Sequence, residues 1–165
     1  MEIRPGDNQD MEFIREMLFE AFFWMPQRPR PGIDEFFNDR EFSKLFSNWG
    51  RNGDRTVIAE NGKIRIGAAW FRLWTESNHS YGFIDSTTPE LGIGVHPGYR
   101  SKGIGRILLN NLIEQAKNDG IDAISLSVEP SNFARKLYES EGFLKVAESG
   151  ASLTYMIKLT NELRK

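Results

Sequence analysis

The chain has 165 residues, of which 39% are apolar, 27% charged and 12% aromatic, the balance of one folded domain rather than of a disordered or membrane-embedded chain. It contains no cysteine, which excludes disulfides, thiolate zinc and iron–sulfur sites and a cysteine nucleophile, and its two histidines, His79 and His96, offer little for a metal site. A formal charge of −2 argues against a nucleic-acid footprint, and no apolar run approaches the roughly 18 residues of a membrane helix.

The opening MEIRPGDNQD lacks the basic-then-apolar order of a secretion signal, so the expected address is the cytoplasm. Residues 1–4 read as a short strand closed by Pro5-Gly6. From Asn8 the pattern turns helical, with Phe13, Met17 and Ala21 every fourth residue and Ile14, Leu18 and Phe22 beside them. Pro26 is expected to end that helix, and Pro29 and Pro31 make the next residues a loop. Asp34 is suited to cap a second helix, interrupted near Asn38-Asp39, along which Phe42, Leu45, Phe46 and Trp49 keep helical spacing up to Gly50 and Gly53. Residues 56–59 and 64–74 have strand composition and are joined by an Asn61-Gly62 hairpin signal. A polar turn region over 75–86 leads to a strand over 91–95, stopped by Pro97-Gly98.

Residues 103–118 predict a strong helix. Ile104, Leu108, Leu112 and Ala116 recur every four residues, and Ile107, Leu109 and Ile113 widen the stripe. Burying those six Ile and Leu side chains is worth about 1.5–3 kcal/mol each before entropy is charged. Ile124, Leu126 and Val128 then alternate with Ala123, Ser125 and Ser127 as a strand does. Ser131 is a candidate cap for a helix ending at Gly142, and Leu153, Tyr155, Ile157 and Leu159 alternate in a last strand. The order of elements predicts an α/β domain built on a mixed sheet.

The segment with chemical content runs from Val95 to Arg106, where a strand ends, the chain turns and a helix begins. Amides in the first turn of a helix lack internal partners, and the helix dipole adds partial positive charge there. Gly103 and Gly105 remove side chains, and Arg100, Lys102 and Arg106 add charge, so the turn is suited to a phosphate or pyrophosphate. It is not a Walker loop, and Leu108 stands where a dinucleotide fingerprint needs a third small residue.

Two stretches give this turn a family context. Arg100-Ser-Lys-Gly103-Ile-Gly105 follows Glu90-Leu-Gly-Ile-Gly-Val-His-Pro-Gly-Tyr99, and the run Asn132, Ala134, Leu137, Tyr138, Gly142, Phe143 follows the next strand. The pair resembles the coenzyme A motif and the second motif of the GNAT superfamily of N-acetyltransferases. The resemblance implies a GNAT-type acyl-CoA N-acyltransferase fold, a central mixed, largely antiparallel sheet flanked by helices, as a single domain over 1–165. It implies acetyl-CoA as acetyl donor, no metal, and direct transfer to a primary amine, on a small molecule or a protein N-terminus.

By the same resemblance the pyrophosphate rests on amides of Ser101, Lys102, Gly103, Ile104, Gly105 and Arg106, with Arg100 beside them. The pantetheine arm pairs with Ile93, Gly94 and Val95, as an added strand would. Asn132 is either a ligand of that arm or a polar residue of a helix's first turn. Tyr138 resembles the tyrosine that faces the thioester sulfur; otherwise it is a core tyrosine. Glu90 resembles a glutamate that serves several family members as base; otherwise it is a charge at a strand end. An N–H near Val95 is placed to stabilise the oxyanion. Pairing into a homodimer is compatible, as are a non-catalytic acyl-CoA sensor and a plain phosphate-binding domain.

Half of the 20 aromatic residues precede Gly50. Most have core spacing, while Phe23 and Trp24 adjoin the proline loop and are candidates for an acceptor pocket, with Arg28 and Arg30 as grips for a carboxylate or as solvated loop charges.

Overall fold

The computed structural model describes residues 1–159. Strands β1 (Glu2–Pro5), β2 (Arg55–Asn61), β3 (Ile64–Arg72), β4 (Glu90–Val95), β5 (Ala123–Val128), β6 (Leu144–Ser149) and β7 (Ser152–Lys158) form one sheet in the order β1-β2-β3-β4-β5-β7-β6. Helices α1 (Met11–Phe22), α2 (Ile33–Asn38) and α3 (Arg40–Ser43) precede β2, α4 (Ile104–Asn118) follows β4, and α5 (Ala134–Ser140) follows β5. The β1–β2, β5–β7 and β6–β7 pairs are antiparallel, and β4 runs parallel to β5 with Glu90 opposite Ser125. This is the mixed α/β architecture that the order of elements predicts. The chain divides into two compact units, one of Met1–Trp70 with Gly92–Leu112, the other of Phe71–Leu91 with the described residues from Ile113 onward.

In the first unit, Asp7 and Asp10 make a reciprocal cap at the entry to α1: the Asp7 carboxylate accepts the Gln9 N–H at 2.8 Å, and the Asp10 carboxylate accepts the Asp7 N–H at 2.8 Å. Asp10 is fully buried, and the Arg4 guanidinium meets both its oxygens, at 2.7 and 2.8 Å, while Arg65 lies 2.9 Å away. These bonds hold the Asp10 carboxyl below the usual carboxylate range, with Arg4 the largest influence. α1 buries Phe13, Ile14, Met17, Leu18 and Phe19. Phe36 of α2 is the hub of an aromatic cluster, stacked on Phe42 at 4.5 Å and meeting Phe22, Phe23 and Phe37 at 4.9–5.4 Å. Leu108 of α4 packs over Gly67 of β3, and the α1 backbone at Met17 lies so close to Gly94 of β4 that no side chain fits there.

In the second unit, Ile124, Leu126 and Val128 of β5 are buried, and Tyr155 of β7 donates its hydroxyl to Glu139 of α5 at 2.9 Å. The end of α5 is closed by Gly142 at φ 100°, the left-handed position expected for it. Tyr138 and Phe143 pack edge to face at 5.7 Å.

Several boundaries differ from expectation for local reasons. α1 stops at Phe22, four residues before Pro26, because Phe23 at φ −104°, ψ 50° has already left helical geometry. Gly32, not Asp34, occupies the cap of α2, and Asp34 lies in its first turn. The break at Asn38-Asp39 is present, with Asp39 capping α3 through the Glu41 N–H at 2.9 Å, but α3 is only four residues long and residues 44–50 form turns. Asn61 belongs to β2, so the chain reverses over Gly62, at φ 67°, and Lys63. Ile107 is 43% exposed, outside the buried stripe of α4, whereas Leu108, Leu109 and Leu112 are fully buried. Phe133, rather than Ser131, occupies the cap position of α5 and makes no side-chain cap bond, while Asn132 Oδ1 just before it accepts the Ala134 N–H at 2.9 Å.

Leu108→Ala is expected to cost about 2–5 kcal/mol in urea unfolding, and Ile107→Ala less than about 0.5 kcal/mol. Asp10 gives a pH dependence of definite sign. Its folded pKa lies below its unfolded value, so its contribution is full above the ordinary carboxylate range, about 3.9, and is lost as pH falls through the lower folded value. Asp10→Asn is expected to lower stability at pH 7 by about 1–3 kcal/mol and to flatten the acid limb of a stability–pH curve.

Candidate functional site

The turn between β4 and α4 is built in three steps. The His96 N–H donates to Ile66 O at 2.8 Å and fixes the strand end. A short 3-10 turn over Pro97–Tyr99 follows. Ser101 at φ 62° and Gly103 at φ 84° then take left-handed backbone on either side of Lys102, an arrangement that turns neighbouring amides toward a common concavity suited to an anion. The first amides of α4, at Ile104, Gly105 and Arg106, have no carbonyl four residues back within the helix, while the Ile107 N–H reaches Gly103 O at 3.3 Å. A Cβ added to Gly103 would meet nothing within 4 Å, and residues 101–103 are exposed, so the backbone is open to an approaching ligand. Ile104 points into the core at 6% exposure and offers only its amide. Lys102 and Arg106 are exposed, the Lys102 ammonium lying 5.5 Å from the Tyr99 ring.

Arg100 is not the spare charge expected from the sequence. Its Nε donates to Val95 O at 3.1 Å, Nη2 to Glu20 Oε2 at 3.0 Å and Nη1 to Trp24 O at 3.5 Å. Glu20 also receives Arg30 at 2.9 Å, and Arg30 donates to Phe23 O at 2.9 Å. The guanidinium of Arg100 thus ties the end of β4 to the end of α1. This also corrects the acceptor-side expectations. Arg30 is held by Glu20, and Phe23 packs against Phe19 at 4.8 Å and Phe36 at 5.4 Å as a core residue. Trp24 remains distinctive: its indole Nε1 is buried without a hydrogen-bond partner among the described residues, and Arg28 lies 5.9 Å from its ring.

In β4, Ile93 and Val95 are half-buried and Gly94 is buried against Met17. Glu90, at the strand's start, is half-buried, and its Oε2 accepts the Gly82 N–H at 3.2 Å. Gly82 O accepts the buried Ser125 hydroxyl at 2.7 Å, and the Ser125 N–H donates to Pro89 O at 3.0 Å. Neither Gly82 nor Ser125 is marked as functional by the sequence; 43 positions separate them, and the polar composition of 75–86 signals only a loop.

Tyr138 is 7% exposed, and burial pushes its phenol well above the ordinary tyrosine value. Asn132 Oδ1 accepts the Ala134 N–H. The family's second motif places two residues between asparagine and alanine, whereas one separates Asn132 from Ala134, so Ser131 stands at the motif's asparagine position. The His96 ring shares the turn with Gly98 N at 3.4 Å, and His79 stacks on Phe83 at 4.4 Å. Among the described residues, no group of three or more His, Asp or Glu is placed to hold a metal ion, and no helix is long and apolar enough to cross a membrane.

The chain is similar to known proteins in sequence and in fold. The chain is 31% identical over 119 residues to a mycothiol acetyltransferase from Beutenbergia cavernae, covering 64% of this chain and 39% of that relative. It is 39% identical over 77 residues to a ribosomal protein bS18-alanine N-acetyltransferase from Haemophilus influenzae, covering 43% of this chain and 52% of that relative. The chain therefore spans about half or less of the length of these curated relatives. Among solved structures, yncA of Salmonella typhimurium, determined with its cofactor acetyl-CoA, superposes with a TM-score of 0.69 and 25% identity over 98% of this chain and 95% of that one. The model of the acetyltransferase (GNAT) family matches residues 11–143, and with that span, fold and turn the chain belongs to that family.

Proposed function

We propose that the chain, as one domain over 1–165, is an acetyl-CoA-dependent N-acetyltransferase that passes the acetyl group directly to a primary amine. The observation that carries this reading is the open turn from Ser101 to Arg106, with its left-handed Ser101 and Gly103 and its helix-start amides. Those amides suit a diphosphate, and the exposed Lys102 and Arg106 add charge near it. Arg100 serves by fixing the turn. The backbone of Ile93, Gly94 and Val95 pairs with the pantetheine arm. Asn132, one residue past the motif's asparagine position, contributes through its side-chain Nδ2, because Oδ1 accepts the Ala134 N–H.

Two protons must move. An amine with a pKa near 10.4 is almost wholly protonated at pH 7, and only the neutral form attacks the thioester carbonyl. Glu90, held by a hydrogen bond on one oxygen, takes that proton directly or through water. The amine nitrogen bonds to the carbonyl carbon, an N–H near Val95 steadies the oxyanion, and the carbon–sulfur bond then breaks. Tyr138 donates its proton to the departing thiolate; a phenol whose pKa is raised by burial stays protonated at neutral pH and acts as a donor, not a base. The acceptor is an amine on a small molecule or a protein N-terminus; the relatives include a mycothiol acetyltransferase and a bS18-alanine N-acetyltransferase. The working compartment is the cytoplasm, and any partner chain is a second copy.

Acetyl-CoA at about 100 times its dissociation constant should stabilise the protein by about 2.7 kcal/mol and raise Tm by several degrees. Gly103→Val forces a branched side chain onto φ 84° and should abolish that shift. A folded Gly103→Val protein with an undiminished shift would overturn the assignment of the turn. Tyr138→Phe should lower kcat about 100-fold in thiol-release assays with a panel of amines, leaving the KM for acetyl-CoA near the parent value.

A further inference from the structure

We infer that Gly82 and Ser125 form a clamp that positions Glu90, and that Ser125 is a positioning residue for proton removal from the amine. The inference rests on the reading of Glu90 as the base and adds the residues that set its geometry. Three hydrogen bonds make a closed circuit. The Ser125 N–H holds the carbonyl of Pro89, immediately before Glu90, at 3.0 Å. The Ser125 hydroxyl holds Gly82 O at 2.7 Å. The Gly82 N–H holds Glu90 Oε2 at 3.2 Å. Backbone and carboxylate of Glu90 are thus both referenced to one residue of β5, which lies opposite Glu90 in the parallel register.

The residue types fit this task. Ser125 is fully buried in a strand whose neighbouring core residues are Ile124 and Leu126, where alanine would pack without needing a hydrogen-bond partner. Its hydroxyl instead reaches the backbone of a loop 43 residues away. Gly82 is fixed by space: a Cβ there would lie 2.7 Å from Leu126 C, 2.9 Å from Ser127 N and 3.0 Å from Glu90 Oε2. Any other residue would push the loop off β5 and off the carboxylate. An N–H donated to a carboxylate favours its ionised form, the form a base must have, and a fixed carboxylate loses less on meeting its substrate. The other ionisable groups carried by the surrounding segments include Arg72, buried at the end of β3, Glu76, His79, stacked on Phe83, Tyr81, Asp85, whose carboxylate is capped by Thr87 and Thr88, and Tyr155 and Lys158 of β7, which pairs with β5. None of them is altered by changing Ser125.

The test compares the full-length parent, Ser125→Ala, Ser125→Cys and Glu90→Gln. The Glu90 side-chain carboxyl is followed by 13C NMR across pH, its signal assigned by its absence in Glu90→Gln, and kcat and KM are measured with acetyl-CoA and the best amine of the panel. In Ser125→Ala, which removes atoms from a buried site, the Glu90 titration should move to higher pH and kcat should fall at least about tenfold with the KM for acetyl-CoA unchanged. Ser125→Cys, with a weaker donor, should fall between. An unmoved Glu90 titration, or a kcat equal to the parent's, overturns the clamp. A rise in the KM for acetyl-CoA with kcat unchanged also overturns it. If Glu90→Gln keeps the parent's kcat, the base reading itself fails, whereas loss of activity in Glu90→Gln beside a fully active Ser125→Ala removes the clamp alone.

Discussion

The guanidinium of Arg100 is the contact on which the anion turn depends. One planar group satisfies the carbonyl that ends β4, the Glu20 carboxylate and a carbonyl just past α1. A lysine could not make these contacts, because its ammonium is a single point charge without the fork of donors. Once Val95 is fixed in this way, the chain has few residues in which to reach the start of α4, and it does so through left-handed backbone at Ser101 and Gly103. The open amides follow from that short connection. The positive character of the turn therefore comes from its backbone dipoles together with Lys102 and Arg106, and not from Arg100, whose charge is met by Glu20.

A second theme is the contrast between two ionisable groups with opposite tasks. Tyr138 sits in apolar surroundings beside Phe143, and desolvation keeps its proton in place. Glu90 is half-buried as a residue, with Oε1 buried, and its Oε2 receives a backbone N–H. In the proposed reaction, environments of these two kinds separate donor from base.

Which features are legible in the sequence depends on the kind of interaction that decides each one. The stripe of α4 was legible because helix burial follows a fixed period, yet the same pattern placed Ile107 in the core when its position on the helix turns it to solvent. Gly142 could be read as a helix terminator from residue type alone, since its φ of 100° favours glycine. Caps were harder. Asp34 and Ser131 are both suitable cap residues, but Gly32 and Phe133 occupy the cap positions, because a cap is settled by where the chain enters the helix.

The amino-acid order by itself determined the succession of strands and helices and the anion-suited turn at 100–106, because each depends on local periodicity or on a contiguous motif, while Tyr138 and Glu90 are singled out only by the family resemblance. Tertiary structure alone decided that Arg100 and Arg30 are bound to Glu20, that Phe23 lies in the core, and that Gly82 and Ser125 meet at Glu90. Those contacts join segments up to 80 residues apart. No local pattern encodes such pairs; they exist only when sheet register and loop path bring one residue's donor to another's acceptor.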